Sequence, residues 1–177
     1  GVLLEFLGPV TLDPAGFTRG FSSLGRPGGP RTATMADFVV GVGPQPVRGM
    51  LQVGQFRFDL TSLPSGTYGQ DECYVMPAIG QRCTPFQFPG YDVSPFYLEN
   101  ASTPGTDGMF TALIAFDVVG TVTVGGQSQG FRGTIGSTFV GASFQEALAG
   151  LEAYGLEGVP FSGRFVVDGP HPFAAAS

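Results

Sequence analysis

From Met109 to Gly141 the chain alternates apolar and polar residues with a period of two, as a strand does when one face packs and the other meets water. Phe110, Ala112, Ile114, Phe116, Val118, Val122 and Val124 share one parity, and Thr111, Asp117, Thr121 and Thr123 fall on the other. Past Gly125-Gly126, Phe131, Ile135 and Phe139 alternate with Arg132, Thr134 and Thr138. Adjacent glycines supply the positive φ angles that a two-residue hairpin turn favours, so the stretch predicts a long hairpin with Phe116 opposite Ile135 and Ala112 opposite Phe139. A slip of one residue would expose every one of those rings, which fixes the register.

The same reading extends to the rest of the chain. Val2 to Leu7 is an apolar strand cut off by Gly8-Pro9, either sandwiched between layers or contributed to a neighbour. Residues 13–34 are rich in Gly and Pro and read as a flap loop, followed by a short strand from Met35 to Val42. Between Val47 and Leu60 the second half alternates clearly, Phe56, Phe58 and Leu60 against Gln55, Arg57 and Asp59, as in a half-buried antiparallel strand. Residues 61–108 carry Pro64, Pro77, Pro85, Pro89, Pro95 and Pro104 and read as an irregular insertion threaded with aromatic residues. Ser143-Phe144-Gln145-Glu146 is a capping box, and Phe144, Ala147, Leu148 and Leu151 follow at helical spacing, predicting one helix over 143–154. Val159 to Asp168 is the last strand, and 169–177 reads as a C-terminal linker or tail. The fold class expected is mainly β: a single antiparallel β-sandwich or jelly-roll-like domain of 177 residues with one short helix.

Composition sharpens this picture in two ways. Seventeen Phe, 29 Gly and 15 Pro, with no Trp, suit short strands and frequent turns. Only 12% of residues are charged and none is lysine, so no positive charge of that kind guards the strand edges. The net charge of −6 and the scattered arginines exclude a basic stripe and argue against nucleic acid as a partner.

Cys73 and Cys83 lack the paired CxxC or histidine neighbours of a zinc site and are read as a disulfide, which implies an oxidising compartment. No apolar run reaches the length of a transmembrane span.

Candidate chemistry is sparse. The single imidazole, His171, lies between prolines in the tail, which leaves a serine or cysteine nucleophile without a base and leaves no catalytic residue to name. Asp71, Glu72, Asp92, Glu99 and Asp107 gather in the insertion, where an acid-pair glycoside hydrolase would need two facing carboxylates. Asp71, Glu72 and Asp107 are also weak calcium candidates, without the regular oxygen spacing of a calcium loop; no other metal and no cofactor is implied. Tyr68, Tyr74, Tyr91 and Tyr97 offer a stacking platform for polysaccharide, with closure of a small second core as the plainer role for the phenylalanines around them. Asn100-Ala101-Ser102 fits a glycosylation sequon.

Gly120-Thr121-Val122-Thr123, Gly133-Thr134, Ser137-Thr138-Phe139-Val140-Gly141, Ala147-Leu148-Ala149-Gly150-Leu151 and Val159-Pro160-Phe161-Ser162-Gly163-Arg164-Phe165-Val166-Val167 together resemble the C-terminal part of exported bacterial proteins of the PEP-CTERM sorting-anchor type, over residues 109–168. That resemblance implies a β-rich extracellular protein of cell-surface or matrix material. Residues 1–177 contain no Pro-Glu-Pro motif, hydrophobic span or arginine cluster of those anchors, so the resemblance carries no expectation of an anchor within them. The function expected is therefore an exported, non-enzymatic surface or matrix protein that self-associates into a filament or lattice by strand pairing or donation.

Overall fold

The structure is a computed structural model that describes residues 2–4, 10–12, 31–36, 38–40, 46–85, 92–103, 105, 108–154 and 161–167. In chain order its strands are β1 (Val2–Leu4), β2 (Val10–Leu12), β3 (Arg31–Met35), β4 (Phe38–Val40), β5 (Val47–Val53), β6 (Phe56–Ser62), β7 (Arg82–Cys83), β8 (Phe96–Ser102), β9 (Phe110–Val124) and β10 (Gln127–Val140), then helix α1 (Phe144–Tyr154) and β11 (Ser162–Val167). Every pairing among them is antiparallel. The fold is thus mainly β and sandwich-like with one short helix, as the periodicity predicts.

β9 and β10 are the spine. Gly125 and Gly126 have φ of 55° and 81° and close the turn in two residues, with Val124 facing Gln127. Phe116 faces Ile135 and Ala112 faces Phe139, the register that the apolar pattern demands. Because β10 occupies one edge of β9 along nearly its whole length, every other partner must share the opposite edge. That edge divides: β8 takes residues 110–116 and β6 takes 119–123. A register shift in β6 between Leu60 and Ser62 marks the point where the partner changes, as a bulge does when it bends a strand away.

The main sheet runs β11-β10-β9-β6-β5-β3-β2, and it curls. Strands three places apart in a flat sheet lie roughly 14 Å from one another. Phe58 on β6 and Phe165 on β11 nevertheless bring their ring centroids to 6.2 Å, and Phe131 meets Phe58 edge-on at 5.2 Å between them. Glycine makes the room. Phe131 lies over Gly120, directly across the ladder, and Phe165 lies over Gly133 in the same way. Phe96 and Phe116 form a second edge-on pair farther along the buried face, at 5.3 Å.

α1 starts as its capping box requires. Ser143 N donates to Glu146 Oε2 at 2.8 Å, and Glu146 N donates back to Ser143 Oγ at 3.3 Å. These donors, the Ser143 amide first and its hydroxyl second, hold the Glu146 carboxyl below its ordinary value of 4.5. A depressed folded-state value stabilises the fold above the ordinary glutamate range, and that contribution is lost as pH falls through the folded value. Thermal unfolding recorded across the acid range should therefore show a decline below pH 4.5 that Glu146→Gln removes in part, since glutamine keeps an acceptor but has no proton to take up.

Several sequence expectations need correction. Val47 to Leu60 is a hairpin rather than one strand, turned at Gly54, whose φ is 57°. Gly54 breaks the alternation, and a single glycine in a strand pattern was the available sign. Residues 61–108 are not uniformly irregular: β6 runs on to Ser62, and β8 is a full central strand whose Phe96 and Leu98 are buried in the core. Its third inward residue is Asn100, which interrupts the apolar pattern. Arg31–Met35 is strand, where a flap loop over 13–34 was expected; residues 13–30 lie outside the described residues. Met35 to Val42 divides between the end of β3 and β4. Of the two alternatives for the apolar first strand, sandwiched between layers or contributed to a neighbour, the second is not what is seen: β1 pairs within its own chain, Val2 to Val40 and Leu4 to Phe38. The predicted tail, 169–177, is outside the described residues.

Candidate functional site: a disulfide-closed apolar loop

The disulfide forms. Cys73 and Cys83 are bonded with Cα atoms 5.3 Å apart, and both are buried. Cys83 stands on β7, which pairs with β8 by placing Cys83 against Leu98 and Arg82 against Glu99. The bridge therefore ties the loop to the central sheet. Closing a loop this short contributes about 3 kcal/mol in the chain-entropy account of disulfides.

Between the cysteines runs Tyr74-Val75-Met76-Pro77-Ala78-Ile79, and every one of these residues is exposed. Met76 is 86% exposed and Tyr74 71%, with Val75 and Ile79 near half. Apolar side chains so far into water normally sit on mobile chain, but this backbone is held from behind by three amide side chains. Gln81 Nε2 donates to Met76 O at 2.8 Å, and Gln81 Oε1 accepts from Ala78 N at 2.8 Å. Gln145, on the first turn of α1, donates through Nε2 to Gln81 Oε1 at 3.0 Å and to the carbonyls of Glu72 and Val75 at 3.4 Å. Asn100, on β8, donates through Nδ2 to Gln145 Oε1 at 3.0 Å and to Gln81 Oε1 at 3.3 Å. Its own Oδ1 accepts from Phe144 N at 2.7 Å, capping the helix as well.

The main chain closes the same lattice. Gly80 N donates to Asn100 O at 2.7 Å, and Asn100 N donates to Gln81 O at 2.9 Å. At the base, Arg82 N donates to Glu72 Oε2 at 2.8 Å. A strand, a helix end and a loop thus share one partly buried polar cluster in which the amide side chains of Gln81, Asn100 and Gln145 are all hydrogen-bonded, the condition under which such clusters rigidify rather than destabilise. Asn100 is 0% exposed. Its side-chain nitrogen, the atom a glycan would occupy, is already committed in the folded chain.

The sequence-predicted residues are distributed around this loop. Tyr68 and Tyr97 meet at 5.9 Å with their rings at 83°, so they form an edge-on pair rather than one flat platform. Arg82 lies over the Tyr68 ring at 5.7 Å and pairs with Glu99 at 3.0 Å, which raises the arginine further. Burial pushes the Tyr97 phenol up, with Asp117 adding to it. Tyr74 stands apart on the loop, and Tyr91 lies outside the described residues. Among the acids, Glu72 holds the Arg82 amide and Glu99 its guanidinium, Asp71 and Asp92 are exposed, and Asp107 is outside the described residues. Among the described residues no group of three or more His, Cys, Asp or Glu converges as a metal site.

Gln81 was not singled out by sequence, Gln145 was named only as part of the capping box, and Asn100 was singled out only as a glycosylation sequon. A signal did exist in Asn100, an amide at an inward strand position, because a buried polar side chain needs partners. Among the described residues no helix is long and apolar enough to cross a membrane. No protein-family model, curated protein or solved structure matches the chain.

Proposed function

We propose that the protein is an exported, non-enzymatic component of a cell surface or extracellular matrix that associates with copies of itself by pairing along β11. One observation carries this reading. β11 ends the main sheet and, among the described residues, pairs only with β10, leaving its other edge open. Open edges template pairing unless something blunts them, and lysine is the usual guard. This chain contains none, and Arg164 is the one charge on β11. Val166 on β11 is exposed, and so is Val140 on β10. The disulfide supports an oxidising setting outside the cytosol. Since β1 is paired within its own chain, strand pairing at the sheet edge is better supported than donation of the N-terminal strand.

Sedimentation equilibrium tests this. The wild-type chain should gain mass with concentration, and Val166→Lys, a change at an exposed position, should hold it at the monomer mass without lowering the melting temperature. A wild-type chain that stays monomeric at high concentration would remove the proposal.

A further inference from the structure

We infer that the loop Tyr74–Ile79 is a lipid-surface anchor, inserting its apolar tip into the interfacial layer of a zwitterionic membrane. This stands independently of the edge-pairing reading, because it uses a different part of the molecule and no second copy.

Three observations converge. The tip presents Tyr74, Val75, Met76 and Ile79 to water, and no residue from 74 to 81 is charged. An exposed Tyr among aliphatic neighbours suits the membrane interface, where the ring is apolar and the phenol stays wet. The backbone is the second observation. Within the tip the carbonyls of Val75 and Met76 accept from Gln145 and Gln81, and Ala78 is paired through both its amide and its carbonyl, so part of the main chain needs no outside partner while the rest can meet the water and headgroups of the interfacial layer. The third is rigidity: the disulfide and the Asn100–Gln81–Gln145 lattice fix the tip before contact, so little ordering entropy is lost on binding.

Charge selects the surface. The chain carries −6 overall, and Arg82, the nearest cation in sequence, is paired with Glu99, so anionic headgroups would repel rather than recruit it. A phosphatidylcholine surface carries no such penalty.

The chain has no tryptophan, which makes the test direct. Met76→Trp exchanges one large apolar side chain for another at a position 86% exposed, so folding is not at risk. Its emission should shift to the blue on adding phosphatidylcholine vesicles and should be quenched by lipids brominated near the headgroup. Val75→Asp with Ile79→Asp, in the same background, should weaken partitioning at least tenfold, roughly the factor for one large side chain left out of the apolar phase. Wild-type chain should likewise co-sediment with the vesicles. Unchanged emission with no co-sedimentation would overturn the inference. So would a blue shift that follows protein concentration without lipid, since the occupant would then be a second copy.

Discussion

Gly120→Ala should cost about 3 kcal/mol or more, the upper range for overpacking a core, and lower the melting temperature by about 6–12 °C. Gly120 sits on β9 beneath the ring of Phe131, and a Cβ there would meet the carbonyl oxygen of Asp59 as well as ring carbons of Phe131 at 2.5 and 2.8 Å. The ring could swing aside; the Asp59 carbonyl belongs to the neighbouring strand and cannot move without opening the ladder. Adding Phe131→Leu should therefore recover only part of the loss. Gly120→Val should leave little folded protein, because such costs approach the whole stability of an ordinary domain. Gly69→Ala supplies the control, since a Cβ at Gly69 has nothing within 4 Å and the change should be near neutral. Thermal unfolding of the set by circular dichroism decides between a packing floor at Gly120 and a position that merely tolerates glycine.

Asn100→Ala should destabilise by about 2–4 kcal/mol, and it should do so at two places at once. Truncation strands the Phe144 amide at the head of α1 and removes the donor that Gln81 and Gln145 share. Asn100→Asp should also destabilise, because a carboxylate at this fully buried position keeps an acceptor for Phe144 N but turns its other oxygen toward the Gln81 and Gln145 oxygens. The readouts are the melting temperature and the susceptibility of the 74–79 segment to limited proteolysis, and both variants should change both. If the alanine variant melts like wild type, the lattice is not holding the loop.

What the sequence disclosed depended on how local the cause was. The β9–β10 hairpin was legible to the residue because a period of two, a diglycine turn and large rings on one face all specify the same register. The capping box of α1 was legible for the same reason, its donor and acceptor lying three residues apart. The β5–β6 turn was harder to see, marked only by Gly54. β8 was missed because prolines surround it and Asn100 occupies a position where a hydrophobic residue was expected. The candidate site was partly visible: two cysteines closing an uncharged apolar run from Tyr74 to Ile79. Its support was not, since Gln81, Asn100 and Gln145 come from three distant stretches and meet only after β8 has paired with β9 and α1 has docked. The curl of the sheet was equally hidden, because the contact between Phe58 and Phe165 depends on two glycines in the strands between them.

The central claim is that a water-exposed apolar loop is held as firmly as the sheet behind it, and hydrogen exchange of the oxidised wild-type chain measures that directly. The amides of Ala78, Gly80, Gln81 and Arg82, each donating inside the molecule, should exchange as slowly as the paired amides of β8. Exchange at the rate of free peptide at those four positions, with β9 and β10 still protected, would show the loop to be loose and would contradict the account.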